Sequence, residues 1–135
     1  MIRTFFDTNV LLYLLSADTD KADRAEALLS AGGVVSVQVL NEFVAVATRK
    51  FHAPWGVVRD VLGVLRLTLE VEPLTLQTHQ LGLDIAERHR FGFYDSLILA
   101  AATLAGCETL YSEDMQDGFR LPDGPVVRNP FIPPR

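Results

Sequence analysis

The stretch Ile2-Arg3-Thr4-Phe5-Phe6-Asp7-Thr8-Asn9-Val10-Leu11-Leu12-Tyr13-Leu14-Leu15 decides the fold. Strand-prone Ile, Thr and Phe give way at Asp7-Thr8-Asn9 to residues that favour turns and helix N-caps, and an unbroken, Leu-rich apolar run follows at once. The segment therefore reads as a buried strand, a turn and a helix, with a carboxylate where the strand ends. In open α/β sheets ligands sit in the crevice outside the carboxyl ends of the strands, so Asp7 stands where chemistry is expected.

The alternation continues downstream. Asp18-Thr19-Asp20 caps a helix from Lys21 to Ala31 that Gly32-Gly33 ends. Val34-Val35-Ser36 reads as a short buried strand, and Val37 to Phe51 as a helix with Val39, Leu40, Phe43, Val44 and Ala47 on its apolar side and Glu42 inside that pattern. Pro54 begins the next helix at its first position, with Trp55 read either as an anchor for a partner or, preferred, as the start of a core-facing helix, and the helix runs to about Leu69. Glu70-Val71-Glu72 is a brief strand stopped by Pro73. A helix from Thr75 ends near Arg88-His89-Arg90, and Phe91-Gly92-Phe93-Tyr94 forms a linker. Asp95 then opens a helix that is apolar nearly all round and therefore buried. Thr109-Leu110-Tyr111 is a strand running out into Ser112–Gly118, and the proline-bearing tail allows one last strand around Val126-Val127. Strands alternating with helices imply an α/β fold, a central parallel sheet flanked by helices on both faces. The 135 residues make one domain, 1–135.

Hydrophobic residues are 49% of the chain, yet no apolar run approaches the roughly 18 residues of a membrane helix. The apolar excess belongs to a core or a partner interface, and no membrane association is expected. A single cysteine, Cys107, excludes an internal disulfide framework. With no basic segment before a long apolar stretch at the N-terminus, a cytoplasmic location is expected. The formal net charge of −5 argues against generic nucleic-acid binding, unless several of the 17 acids gather around divalent cations and so reverse the field that a phosphate meets.

Four carboxylates are placed for that. Asp7 and Asp114 follow strands that end at the same edge of a parallel sheet, Asp95 lies at the positive end of a buried helix, and Glu42 is an acid in an apolar helical pattern. Singly, each has a plainer reading: Asp7 or Asp95 as a helix cap, Glu42 on the polar edge of its helix, Asp114 as a loop acid. Together they repel, since two unit charges about 5 Å apart cost about 3 kcal/mol at an effective dielectric near 20. No Lys or Arg stands within the motifs to neutralise them. Oxygen-only ligands select hard cations, so Mg²⁺ or Mn²⁺ is the natural counter-charge, and such ions polarise a phosphoryl oxygen and lower the pKa of water. The chemistry expected is metal-dependent phosphodiester hydrolysis.

The ordered set Phe6-Asp7-Thr8-Asn9-Val10-Leu11, Asn41-Glu42-Phe43, Tyr94-Asp95-Ser96-Leu97-Ile98-Leu99-Ala100-Ala101-Ala102 and Leu110-Tyr111-Ser112-Glu113-Asp114-Met115-Gln116-Asp117-Gly118 resembles a PIN domain, specifically a VapC-type toxin. The resemblance covers nearly the whole chain. It implies an endoribonuclease, the toxin of a type II toxin–antitoxin pair, in which Asp7, Glu42, Asp95 and Asp114 bind Mg²⁺ or Mn²⁺ and position the attacking water. It implies also that Asn9 and Ser112 orient those acids. Ser112 replaces the Thr frequent in the family and keeps the hydroxyl. Asp117 is either a fifth supporting carboxylate or a plain Asp-Gly turn. Further implications are an RNA substrate such as transfer or ribosomal RNA, a homodimer, and a cognate antitoxin that buries apolar helical surface and brings an Arg to the acids.

Arg49-Lys50 and Arg88-His89-Arg90 are the concentrated basic patches, read either as RNA-phosphate contacts at the rim or as residues suited to helix C-termini. His52, His79 and His89 lack the spacing of a zinc pair, and no phosphate-cradling Gly-rich loop is present. An aspartyl-nucleophile phosphatase would need a second Asp where Asn9 stands and a Lys near the later acids. The remaining alternative is a catalytically inert PIN-like module that only binds a partner.

Overall fold

The computed structural model describes residues 2–132. Five strands, β1 (Thr4–Phe6), β2 (Gly33–Ser36), β3 (Leu69–Glu72), β4 (Thr109–Tyr111) and β5 (Val126–Arg128), form one sheet in the order β3-β2-β1-β4-β5. Every neighbouring pair is parallel; Phe5 lies opposite Val34 on one side and Leu110 on the other. The helices are α1 (Thr8–Leu12), continued by a 3₁₀ turn over Tyr13–Leu15, then α2 (Thr19–Ser30), α3 (Val37–Arg49), α4 (Trp55–Thr68), α5 (Leu76–His89) and α6 (Phe93–Leu104). The expected α/β fold with a parallel central sheet is therefore present.

The strand order explains the layers. From β1 through β2 to β3 the chain moves steadily to one side, and it then returns across the sheet to β4 on the other side of β1. Because parallel crossovers are right-handed, this reversal places α1–α4 on one face and α5–α6 on the opposite face. Packing agrees: α1 lies on α3, α3 on α4 and α2 on α4, whereas α5 packs along α6. Phe5, Val10, Leu11, Val35, Val39 and Phe43 are fully buried, with Phe5 and Val35 on opposite faces of the sheet, and Leu99, Ala100 and Ala102 of α6 are fully buried as its all-apolar sequence predicts.

Three boundaries differ from the reading of the sequence. Phe93 and Tyr94 are the first residues of α6 rather than linker, because the Gly92 carbonyl already accepts from the Ser96 N–H and hydroxyl, each at 2.9 Å. Pro54 is the cap before α4 rather than its first residue; its carbonyl accepts the Val58 N–H. Trp55, expected to face the core, is 64% exposed, since the helix buries Val58 and Leu65 on its other side. Among the described residues no helix is long and apolar enough to cross a membrane.

Candidate active site

The topological reversal lies between β1 and β4, the place where an open α/β sheet leaves a crevice at its carboxyl edge. Asp7 emerges there. Its N–H donates to the Tyr111 carbonyl at 2.9 Å, which keeps the chain paired to β4 one residue beyond the strand. The side chain is buried, and both of its oxygens accept hydrogen bonds. Oδ1 accepts the Thr8 N–H at 2.7 Å, while Oδ2 accepts the Ser112 hydroxyl at 2.7 Å and the Asn9 Nδ2 at 3.1 Å. Asp7 thus caps α1 and faces the crevice at once. Burial pushes its carboxyl up to about 6 against the pull of the Ser112 and Thr8 hydrogen bonds, and the charges of Asp95 and Asp114 push the same way. Ser112, fully buried just past β4, also accepts the Met115 N–H at 3.2 Å and so shapes the loop that carries Asp114.

Asn9 joins two of the acids: its Nδ2 also reaches Asp114 Oδ2 at 3.2 Å, and its Oδ1 accepts the Glu113 N–H at 3.1 Å. Glu42 does not turn to solvent. Its Oε2 accepts the Thr8 hydroxyl at 2.7 Å and its Oε1 accepts Gln38 Nε2 at 3.1 Å, one helical turn back on α3. Gln38 donates as well to the Tyr94 carbonyl at 3.1 Å, tying α3 to the first turn of α6 where Asp95 sits. Asp95 is the third residue of α6, and the cap position belongs to Gly92, so the capping reading fails for it. Its carboxyl is raised by partial burial first, then by the charges of Asp114 and Glu42.

The four acids therefore share one electrostatic neighbourhood. Among the described residues, however, no three Asp, Glu, His or Cys side chains converge as a ready-made metal ligand set. Asn9 stands between Asp7 and Asp114, and Thr8 and Gln38 draw Glu42 toward themselves. The candidate donors are carboxylate oxygens, and the carboxyls of Asp7 and Asp95 are raised by burial first and by the neighbouring acids second. Such a set fits a hard divalent cation held by Asp7, Asp95 and Asp114 with Glu42 alongside.

The basic residues separate. Lys50 lines a hollow of about 210 Å³ together with Asn9 and Glu113, and Arg49 beside it is exposed. Arg88 instead lines a hollow with Thr103, which is eight residues, or about 12 Å, along α6 from Asp95. Arg90 is exposed and ends α5 in the left-handed region at φ 60°. Asp117 accepts the Asn129 N–H at 2.8 Å, which ties the loop after β4 to the end of β5. Lys21 of α2, outside the motifs, pairs with Glu113 at 2.6 Å, next in sequence to Asp114. Gln38 had a legible signal, its four-residue spacing from Glu42. Thr8 lay hidden in a segment read only as a turn, and nothing local marks Lys21, which meets Glu113 across 92 positions.

The same fold recurs in solved structures. Over 95% of this chain and 98% of theirs, a toxin–antitoxin complex from Klebsiella pneumoniae is similar, with TM-score 0.71 and 23% identity. VapC20 of Mycobacterium tuberculosis, a toxin that cleaves the sarcin–ricin loop, is similar over 82% of this chain and 89% of its own, with TM-score 0.67 and 21% identity. VapBC2 of Rickettsia felis, bound to a DNA fragment from its promoter, is similar over 96% and 98%, with TM-score 0.67 and 20% identity. Identities this low establish the shared fold alone. No curated protein matches the chain in sequence. The model of the PIN domain matches residues 4–120, nearly the whole α/β unit together with all four acids, and the chain belongs to the PIN domain family.

Proposed function

We propose that this PIN domain is an Mg²⁺- or Mn²⁺-dependent endoribonuclease and the toxin of a type II toxin–antitoxin pair. The observation that supports the reading is the shared electrostatic neighbourhood of Asp7, Glu42, Asp95 and Asp114: Asn9 links Asp7 to Asp114, and the charges of these acids act on the raised carboxyls of Asp7 and Asp95. A surface that only bound a partner would have no use for acids that raise one another's pKa.

Asp7, Asp95 and Asp114 are the residues that would hold the cation. Bound there, it supplies Lewis acidity toward a phosphoryl oxygen and toward water. The chain's own contribution is order. Asn9 sets the spacing of Asp7 and Asp114, and Ser112 and the Thr8 N–H fix the rotamer of Asp7. Glu42, with one hydrogen bond on each oxygen, is an oriented acceptor at the edge of the site. Asp95 has no side-chain hydrogen bond among the described residues, which leaves its carboxylate to the cation. Lys50 is the basic residue positioned to meet an RNA phosphate near Asn9. A cognate antitoxin is proposed from the likeness to toxin–antitoxin complexes, and a homodimer from the family resemblance alone. The exposed Trp55, Val64 and Leu67 of α4 give such partners apolar surface to cover.

The test is cleavage of total RNA by purified protein with Mg²⁺ or Mn²⁺, beside EDTA and Asp95→Asn controls, with the ends mapped. Discrete metal-dependent cuts that vanish in the variant are expected. Cuts that persist equally in EDTA or in Asp95→Asn would sink the reading, and an inert protein with no measurable Mn²⁺ binding would favour the non-catalytic module.

A further inference from the structure

We infer that Lys21, on α2 and outside every motif of the site, is a positioning residue that holds Asn9 in place as the spacer between Asp7 and Asp114. The inference rests on reading the four acids as one site. Its geometry is a chain of contacts. Lys21 Nζ lies 2.6 Å from Glu113 Oε2 and donates to the Tyr13 hydroxyl at 3.1 Å, and that hydroxyl donates to Glu113 Oε1 at 2.5 Å. Both Glu113 oxygens are thereby engaged by Lys21 and Tyr13. The ammonium also sits 4.9 Å from the centroid of Tyr13 and 5.3 Å from that of Phe131, whose ring meets Tyr13 edge-on at 4.7 Å. About a third of the Lys21 side chain and a quarter of that of Glu113 remain exposed, so the pair is partly sheltered under this aromatic cover.

The backbone of the clamped residue completes the link. The Glu113 N–H donates to Asn9 Oδ1, which dictates which end of the Asn9 amide faces which neighbour. With Oδ1 so occupied, Nδ2 points at Asp7 Oδ2 and Asp114 Oδ2. A flipped amide would set its oxygen against two carboxylates. Lys21 serves this arrangement twice over. It anchors the loop that begins at Ser112, and it neutralises a carboxylate that would otherwise add a fifth negative charge one residue from Asp114. Exposed ion pairs contribute little to global stability, so a chain without this one remains folded.

The experiment compares parent, Lys21→Met and Lys21→Arg in two measurements: Mn²⁺ affinity by calorimetry, and the Asn9 side-chain amide signal by NMR in the metal-free proteins. Residues that orient metal ligands typically change affinity 10- to 100-fold when removed. Lys21→Met is expected to weaken Mn²⁺ about tenfold and to shift or broaden the Asn9 amide signal, with thermal unfolding still cooperative. Lys21→Arg is expected to restore most of both. An unmoved Asn9 signal together with parental Mn²⁺ affinity in Lys21→Met would overturn the inference. If the parent itself bound no Mn²⁺, the reading of the acids as a metal centre would fall, and the Asn9 signal alone would then decide the role of Lys21.

Discussion

Asp7 accepts three hydrogen bonds and is still hard to ionise, because burial outweighs them. Its carboxyl titrates near the ordinary 3.8 in the unfolded chain and at about 6 when folded, so the folded protein binds that proton more tightly. The ionised form therefore costs stability in full above pH 6, and the cost is relieved as pH falls toward 4. Two units correspond to about 3 kcal/mol, an upper bound for what the melt can show. In EDTA the protein is expected to melt at a higher temperature at pH 5.5 than at pH 7.5, and a flat profile between them would contradict the burial argument. Glu113 is shifted down, so its loss of stability begins below this window. Asp95→Asn removes a charge that faces Asp114 and Glu42, and the metal-free variant is expected to melt at the parental temperature or up to roughly 4 °C above it. A clear drop would show that the acids are not crowded. Asp7, Asp114 and Asp95 were legible as candidates because they follow a strand or open a helix, and Glu42 because it is an acid in an apolar helical pattern. Thr8 and Lys21 were not, because their roles depend on neighbours 34 and 92 positions away.

At the level of elements, two helical glycines have opposite meanings. A Cβ on Gly82 of α5 would lie 2.6 Å from Leu97 Cδ2 and 3.4 Å from the Leu97 Cα, two residues beyond Asp95. Here α5 and α6 approach too closely for a side chain. A Cβ on Gly63 of α4 meets nothing within 4 Å. Gly63→Ala is thus expected to raise stability by about 0.5–1 kcal/mol through helix propensity and a less flexible unfolded chain. Gly82→Val is expected to lower it by roughly 1–3 kcal/mol through overpacking and to weaken metal affinity by displacing the first turn of α6. Urea unfolding of both variants measures the difference, and equal effects would refute the close contact. Elements were legible where the apolar pattern was strong, as in the continuous apolar run of the buried α6. The start of that helix was not, because Gly92 reads as a linker residue until its carbonyl is seen to accept two bonds from Ser96. The exposure of Trp55 was equally hidden, since hydrophobicity says that a residue is costly in water and does not say which face of α4 the core will claim.

For the whole molecule, the site and the sheet are one thermodynamic system. The acids hang from the ends of β1 and β4 and from α3 and α6, elements that belong to both layers, so a cation that satisfied them would bind the folded chain and find no comparable site in the unfolded one. Linkage then sets the size of the effect. At a free concentration one hundred times the dissociation constant, the stabilisation is about 2.7 kcal/mol. For a domain of this length that amounts to roughly 10 °C in melting temperature. Mn²⁺ or Mg²⁺ titrated at constant ionic strength is expected to raise the parental melting temperature progressively by that order. Asp95→Asn is expected to show little of the rise, even though its metal-free melt is no lower than that of the parent. The rise is also expected to shrink at pH 5.5, where protons compete for Asp7. Equal shifts in parent and variant would place the ion elsewhere on this acidic protein, because general screening of a net charge of −5 acts on both alike.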